Sequence, residues 1–424
     1  MPPAKSFDIH YAGFGLACCY GVLAWASRSE TGISLLLFYS IIAIALIFYF
    51  WPRHRNSSQP KLAAVFGWAM LFRLLGLIGT PLFEDDFYRY LWDGYRLAMD
   101  GNPYQKAPEA FFNDRTVLPA FQFILGHINY PELPSVYGPG LQFLFGLSYW
   151  LAPAVLWPLK LLLIGCDMLL IAMLARIGKV EDVLLYAWNP LVIKEIAFTA
   201  HPDGLLPLLL IAAWLCLKQG RLYSSATLLA VAVTVKIPAL LIAPFLLWRM
   251  GWKPMLCFGL VVFACYLPFM DGRGNDLFSL FYFGQNWQFN SAFYGLLQLF
   301  MPGASARFIL GWGVIVFVYS QWRRYQRLPM TSLPRVDLIF AVLIFASPTI
   351  NPWYWLWVLP FSVIFPGRWP WVASVALLLA YITGLNLESE TLKAYQQPIW
   401  TPWLEFGLIS LAVWLEYLPC FTKK

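Results

Sequence analysis

Charge is what this 424-residue sequence has least of. Asp, Glu, Lys and Arg together make up 12% of it, about half the ~25% of a soluble domain. No polar stretch is long enough to build a soluble core of its own. The hydrophobic fraction is 60%, and many windows of roughly 20 residues are almost free of charge, which predicts an all-α polytopic membrane protein. A basic block is also missing. The net charge of +7 is spread through short loops, as membrane topology requires, so nucleic acid is excluded as a partner. The seven cysteines (Cys18, Cys19, Cys166, Cys216, Cys257, Cys265 and Cys420) lie in or at the ends of apolar runs with no metal-ligand spacing. They read as small packing residues. Ser27-Arg28-Ser29-Glu30 is a poor cleavage site, so the apolar run at residues 11–26 reads as a membrane helix. No strict internal repeat is present, which argues against a transporter built from inverted halves.

Apolar runs recur at residues 11–26, 33–51, 62–80, 156–174, 183–199, 205–217, 222–235, 238–248, 255–270, 307–322, 336–349, 356–366, 371–385 and 403–418. They predict a bundle of about 14 transmembrane helices in one domain, residues 1–424. The loop at 52–61, with Arg53, His54, Arg55 and Lys61, is expected in the cytoplasm, as are Lys423 and Lys424. The acidic loop with Glu388 and Glu390 falls outside. Residues 141–152 are short for a span and read as a juxtamembrane or re-entrant piece. Residues 81–155 then form one outer loop with juxtamembrane helices.

The densest polar stretch is FEDDFYRYLWDGYRLAMDGNPY, residues 83–104. It follows the run at 62–80, whose single charge is Arg73. Its pattern predicts a helix that Asp85 and Asp86 open and Gly101-Asn102-Pro103 stops. Asp86, Arg89 and Asp93 share one face. One reading is that Glu84 or Asp85 caps the helix. The other is a functional site, because ionisable groups at the mouth of a membrane helix are costly unless used. A cap needs one acid, and three stand in a row.

Glu84-Asp85-Asp86-Phe87-Tyr88-Arg89-Tyr90-Leu91-Trp92-Asp93-Gly94, followed by Gly101-Asn102-Pro103-Tyr104, resembles the first outer loop of the polytopic GT-C glycosyltransferases. Within that superfamily it is most similar to the bacterial polyprenol-phosphate-mannose-dependent mannosyltransferases. Further segments match in the same order. They are Tyr130-Pro131 with Tyr137-Gly138-Pro139, Trp188-Asn189-Pro190-Leu191 through Lys194-Glu195 to His201-Pro202-Asp203-Gly204, Lys236-Ile237-Pro238, Trp287-Gln288-Phe289-Asn290, and Ser347-Pro348 through Asn351-Pro352-Trp353-Tyr354. Asn351 stands where relatives often have His, and Glu84 where they often have Ser.

The resemblance implies a GT-C-like fold with a periplasmic first catalytic loop in the inner membrane. It implies transfer of a hexose, mannose above others, from a polyprenyl phosphate to a glycan, glycolipid or protein acceptor. The catalytic base falls on Asp85 or Asp86, since a second carboxylate and an apolar wall raise a carboxylate's basicity. Arg89, Lys160, Lys194, His201, Asp203, Lys236 and Asn351 are the candidates for the donor's phosphate and sugar, because guanidinium and ammonium groups match phosphate. Tyr88, Tyr130 and Tyr137 are the acceptor candidates. Each has a plainer reading. Arg89 can pair with Asp86 or Asp93, Lys160 can snorkel, and the tyrosine-proline pairs can be rigid turns. No resident cofactor is expected. His201 and Asp203 supply only half a metal site, although the outer acids leave room for a divalent cation. The rival functions are a flippase or transporter of a lipid-linked intermediate, and a non-catalytic binder of lipid-linked sugar.

Overall fold

The computed structural model describes residues 9–30, 32–50, 60–270, 275–387 and 391–421, the side chains of 418–421 excepted. Arg53, His54, Arg55, Glu388, Glu390, Lys423 and Lys424, which carried the topology expected above, lie outside the described residues. The described chain is helical throughout, and its one extended pairing is a parallel bridge between Phe289 and Thr349. All six cysteines with described side chains are free.

Among the described residues, four helices are long and apolar enough to cross a membrane: Ile9–Ala26, Trp157–Ala175, Trp252–Phe269 and Gly303–Tyr325. A fifth crossing results if Pro190–Phe198 and Pro202–Lys218, bent by 112°, form one broken span. The protein is therefore multi-pass. Other apolar helices, such as Leu35–Phe50 and Leu62–Ile78, are 10–17 residues long. At ~1.5 Å per residue they fall short of a ~30 Å hydrocarbon core. Only 11% of an 18-residue apolar stretch is buried in each of Trp252–Phe269 and Gly303–Tyr325, so both turn apolar side chains outward, as lipid-facing helices do.

Several runs that look continuous in sequence are broken, and proline explains most breaks. In the run at 183–199, helix Val180–Ala187 stops at Trp188. The Asn189 side chain then accepts from the amides of Leu191 and Val192, Pro190 opens a new turn, and Ile193–Phe198 is π-wound. In the run at 238–248, Pro238 and Pro244 leave a 3-10 turn, Ile237–Leu241, and a five-residue helix, Ala243–Leu247. The run at 371–385 becomes Trp369–Ala376 and a 3-10 turn, Leu377–Tyr381. Residues 141–152 fold as Pro139–Leu151, 13 residues, too short to cross alone.

Deep in the bundle, the one charge of helix Leu62–Ile78 is paired. Arg73 is fully buried, with Nε 2.6 Å from Asp167 Oδ2. Its Nη1 donates to the carbonyls of Ala69 (3.0 Å) and Ala187 (2.9 Å). The Tyr186 hydroxyl donates to Asp167 Oδ1 at 2.6 Å. One network thus joins Leu62–Ile78, Trp157–Ala175 and Val180–Ala187.

The acidic stretch forms helix Asp86–Asp100 and ends at Gly101, whose φ of 76° is left-handed, as a glycine stop requires. Its aromatic face packs into a small core with Phe111, Phe121 and Leu125. Its other side lies against Pro139–Leu151 at backbone contact, where a Cβ on Gly94 would stand 2.4 Å from the Phe145 carbonyl oxygen. Gly94→Ala is expected to cost about 1–3 kcal/mol by overpacking and to displace the acids at the helix start. Gly67→Ala is the control, because nothing lies within 4 Å of the added carbon there. Melting both variants in detergent checks this. Equal melting temperatures would refute the close-packing argument.

Candidate active site

The start of the acidic helix opens into a cavity of about 280 Å³, near the lower end of the ~300–1,000 Å³ typical of small-molecule sites. Of the residues expected from sequence, Asp85, Asp86, Arg89, Tyr130, Tyr137, Lys236 and Asn351 line it. Segments far apart in the chain build its wall, from Phe83 to Tyr395.

Asp85 occupies the N-cap position of its helix, yet its side chain makes no capping bond. Its Oδ1 instead accepts from the Asn129 amide, which also donates to the Tyr395 hydroxyl at 2.7 Å. The plain capping reading thus does not describe this carboxylate. Burial, and then the neighbouring Asp86, lift the Asp85 pKa to about 6 against the bond from Asn129. Glu84 also lines the cavity, and burial pushes its pKa well above the usual carboxylate value.

Asp86 faces a different way. Its Oδ2 lies 3.8 Å from His201 Nε2 and 3.4 Å from the Tyr137 hydroxyl. His201 is buried, stacks on Trp353 at 4.1 Å, and places Nδ1 2.8 Å from Glu195 Oε2. Burial disfavours the imidazolium, but Asp86 and Glu195 outweigh it and raise the pKa to about 9. His201 is thus a cation behind Asp86 at neutral pH. It reaches that place because the chain folds back at the bend after Phe198, where Ala200 adopts φ 64°.

Lys236 ends helix Leu222–Val235 in extended conformation. Its Nζ pairs with Asp203 Oδ1 at 3.1 Å and lies 5.9 Å from the ring centroids of Tyr137, Tyr354 and Trp357. Asp203 is held by Trp357 Nε1 at 2.8 Å. Lys236 is therefore a cation fixed in place while still reaching the cavity. Arg89 lines the cavity too, tied to Asp93 Oδ1 at 3.5 Å and to the Leu133 carbonyl.

The remaining expected residues stand elsewhere. Lys160 is off the cavity wall. Its ammonium donates to the carbonyls of Gly76 (2.9 Å) and Gly79 (2.7 Å), the unpaired C-terminal end of Leu62–Ile78. Lys194 is buried behind Tyr381, with Nζ 3.2 Å from Glu195 Oε1 and 3.7 Å from the Tyr381 ring centroid. Tyr381 itself lines the cavity and donates to Glu195. Tyr88 is outside the wall, stacked on His127 at 4.9 Å. His201 and Asp203 hold wall residues rather than line the wall.

The sequence did not single out Asn129, Asp276, Tyr381 or Tyr395. Asp276 opens helix Asp276–Asn286, accepts from the Tyr266 hydroxyl at 3.2 Å, and has its pKa lifted to about 6 by burial. Only Asn129 carried a local signal, being next to the Tyr130-Pro131 pair. Among the described residues no three His, Cys, Asp or Glu side chains converge as a metal-binding set.

The family profile described as alpha-(1->6)-mannopyranosyltransferase, N-terminal domain, matches residues 17–251. That span includes the acidic helix, His201, Asp203 and Lys236, and ends before Trp287 and Asn351. The chain is similar to alpha-(1->6)-mannopyranosyltransferase A of Mycobacterium tuberculosis, 23% identical over 376 residues, 73% of this chain and 65% of the relative. It thus spans 65% of that relative's length. No solved structure matches it.

Proposed function

Because this chain belongs to the alpha-(1->6)-mannopyranosyltransferase family, we propose that it transfers mannose from a polyprenyl phosphate to a hydroxyl of a glycan or glycolipid. The observation that carries this reading is a single cavity with a raised-pKa carboxylate, Asp85, and fixed cations, Lys236 and Arg89. Asp85 removes the proton of the acceptor hydroxyl. The acceptor oxygen bonds to the anomeric carbon as the bond from that carbon to the phosphate oxygen breaks, with inversion. The polyprenyl phosphate leaves as an anion, so no acid is required, and Lys236 and Arg89 steady its charge. Asp86, facing His201 and next to Asp85, helps keep Asp85 basic. Asn351, on the cavity wall, bonds a sugar hydroxyl.

The fold that goes with this reading is a GT-C-like bundle of about 14 passes in the inner membrane. In this reading each of the 14 apolar runs is one pass, the short and broken helices crossing together with the residues that flank them, and the loop at 81–155 lies in the periplasm. The cation-rich loops favour that orientation.

The test is a donor panel. Purified protein in detergent receives short-chain polyprenyl phosphates carrying mannose, glucose or arabinose, with an oligomannoside acceptor. Release of polyprenyl phosphate from the mannose donor alone is the expected result. Turnover of a different sugar would replace mannose in the proposal. Binding without release from any donor would make the protein a carrier of lipid-linked sugar.

A further inference from the structure

We propose that Tyr130 and Trp287, with Asn129 and Tyr395 beside them, form the subsite that holds the acceptor, a terminal hexopyranoside. The inference rests on the transfer reaction proposed above. A pyranose presents an apolar C–H face and a polar rim, so its site needs an aromatic surface bordered by side-chain amides and hydroxyls. This part of the cavity offers both. Tyr130 is 38% exposed and lines the cavity. Its ring meets Trp287 at 3.9 Å, nearly perpendicular, and Trp287 is backed by Phe283 at 5.2 Å. The polar border is Asn129 and the Tyr395 hydroxyl, joined at 2.7 Å.

The subsite belongs to the acceptor because of what it adjoins. The group that takes the acceptor proton must touch the acceptor hydroxyl. Asn129 bonds to Asp85 and immediately precedes Tyr130 in the chain. The cationic part of the cavity is built from other residues, Lys236 with Tyr137, Tyr354 and Trp357.

The aromatic pair is also held rigidly. The Trp287 loop is pinned by Phe289 N–H to the Pro348 carbonyl (3.1 Å) and Ile350 N–H to the Phe289 carbonyl (2.9 Å). Asn290 Nδ2 donates to Glu405 Oε1 at 2.8 Å, anchoring the loop to helix Trp400–Phe421. Tyr130 and Tyr395 both adopt left-handed backbone conformations, φ 52° and 61°, which non-glycine residues rarely take. A pre-set aromatic surface binds a weakly held sugar without an ordering cost.

Two measurements on the full-length protein test this. In steady-state assays with the mannosyl donor and α-(1->6)-linked mannobiose as acceptor, Trp287→Ala and Tyr130→Ala should raise the acceptor KM about tenfold and the donor KM less than about twofold. Trp287→Phe should recover most of the loss. An unmoved acceptor KM, or equal rises in both KM values, overturns the subsite. The second measurement needs no turnover: saturation-transfer NMR of mannobiose with donor-free protein. Transfer to the sugar ring protons is expected with the wild type and Trp287→Phe, and its loss with Trp287→Ala. No transfer to the wild type, or undiminished transfer to Trp287→Ala, overturns the proposal. If no donor is turned over but mannobiose binding depends on Trp287, the transfer reaction falls and the sugar subsite stands.

Discussion

Asp85→Asn is expected to lower the rate of sugar transfer about 10²–10⁴-fold, the usual contribution of a general base. Asn is nearly isosteric and keeps an oxygen for the Asn129 amide, so the cavity should retain its shape. The pH profile carries the assignment further. A base works only when deprotonated, and burial together with Asp86 puts the Asp85 pKa at about 6. Transfer should therefore be level above pH 6 and fall tenfold per unit below it. Asp86→Asn removes a negative neighbour, so the carboxylate form of Asp85 becomes easier to make. Its acid limb should move to lower pH, with a smaller loss of rate than in Asp85→Asn. An acid limb that disappears in Asp86→Asn, or a larger loss there, would transfer the base role to Asp86.

Breaking the buried Arg73–Asp167 pair from one side is expected to destabilise the protein by about 3–5 kcal/mol. Both side chains are almost wholly inaccessible to solvent. Asp167→Leu strands a guanidinium between Ala69, Ala187 and an apolar helix, and removes the acceptor of the Tyr186 hydroxyl. The triple variant Arg73→Met/Asp167→Leu/Tyr186→Phe removes every charged and hydroxyl group of the network. It should recover most of the loss, because the cost lies in the unpaired charge rather than in the lost attraction. Thermal unfolding in detergent reads the difference. A triple variant no more stable than Asp167→Leu would mean that the pair itself holds the three helices.

The residues that could be read locally were read from local rules. Low charge and long apolar runs imply a multi-pass membrane protein because bilayer thickness sets the length of its helices. The acidic stretch stood out by composition, and Gly101 stopped its helix as a residue free to take positive φ must. The proline breaks were visible only in part. Pro190 and Pro238 mark positions where a helix fails, but the π-wound turn at Ile193–Phe198 and its 112° bend depend on what packs around them.

Lys160 shows where local reading stops. A lysine at the outer end of an apolar helix needs oxygen partners, and both a phosphate and the open carbonyls of a neighbouring helix supply them. Sequence cannot separate the two; packing placed Gly76 and Gly79 there. Asp85 and Asp86 show the same limit within two residues. Adjacent in the chain, they point to different partners, Asn129 for one and His201 for the other. Tyr395 reaches the same amide from 266 positions further along the chain.

The sequence by itself determined the membrane class, the order of the motifs and which segment carries the acids, because hydropathy and helical period act over neighbouring residues. The tertiary structure alone decided which acid faces a cation, which lysine caps a helix and which aromatics share the cavity. Those contacts join residues tens to hundreds of positions apart, and no periodicity along the chain encodes which loops meet.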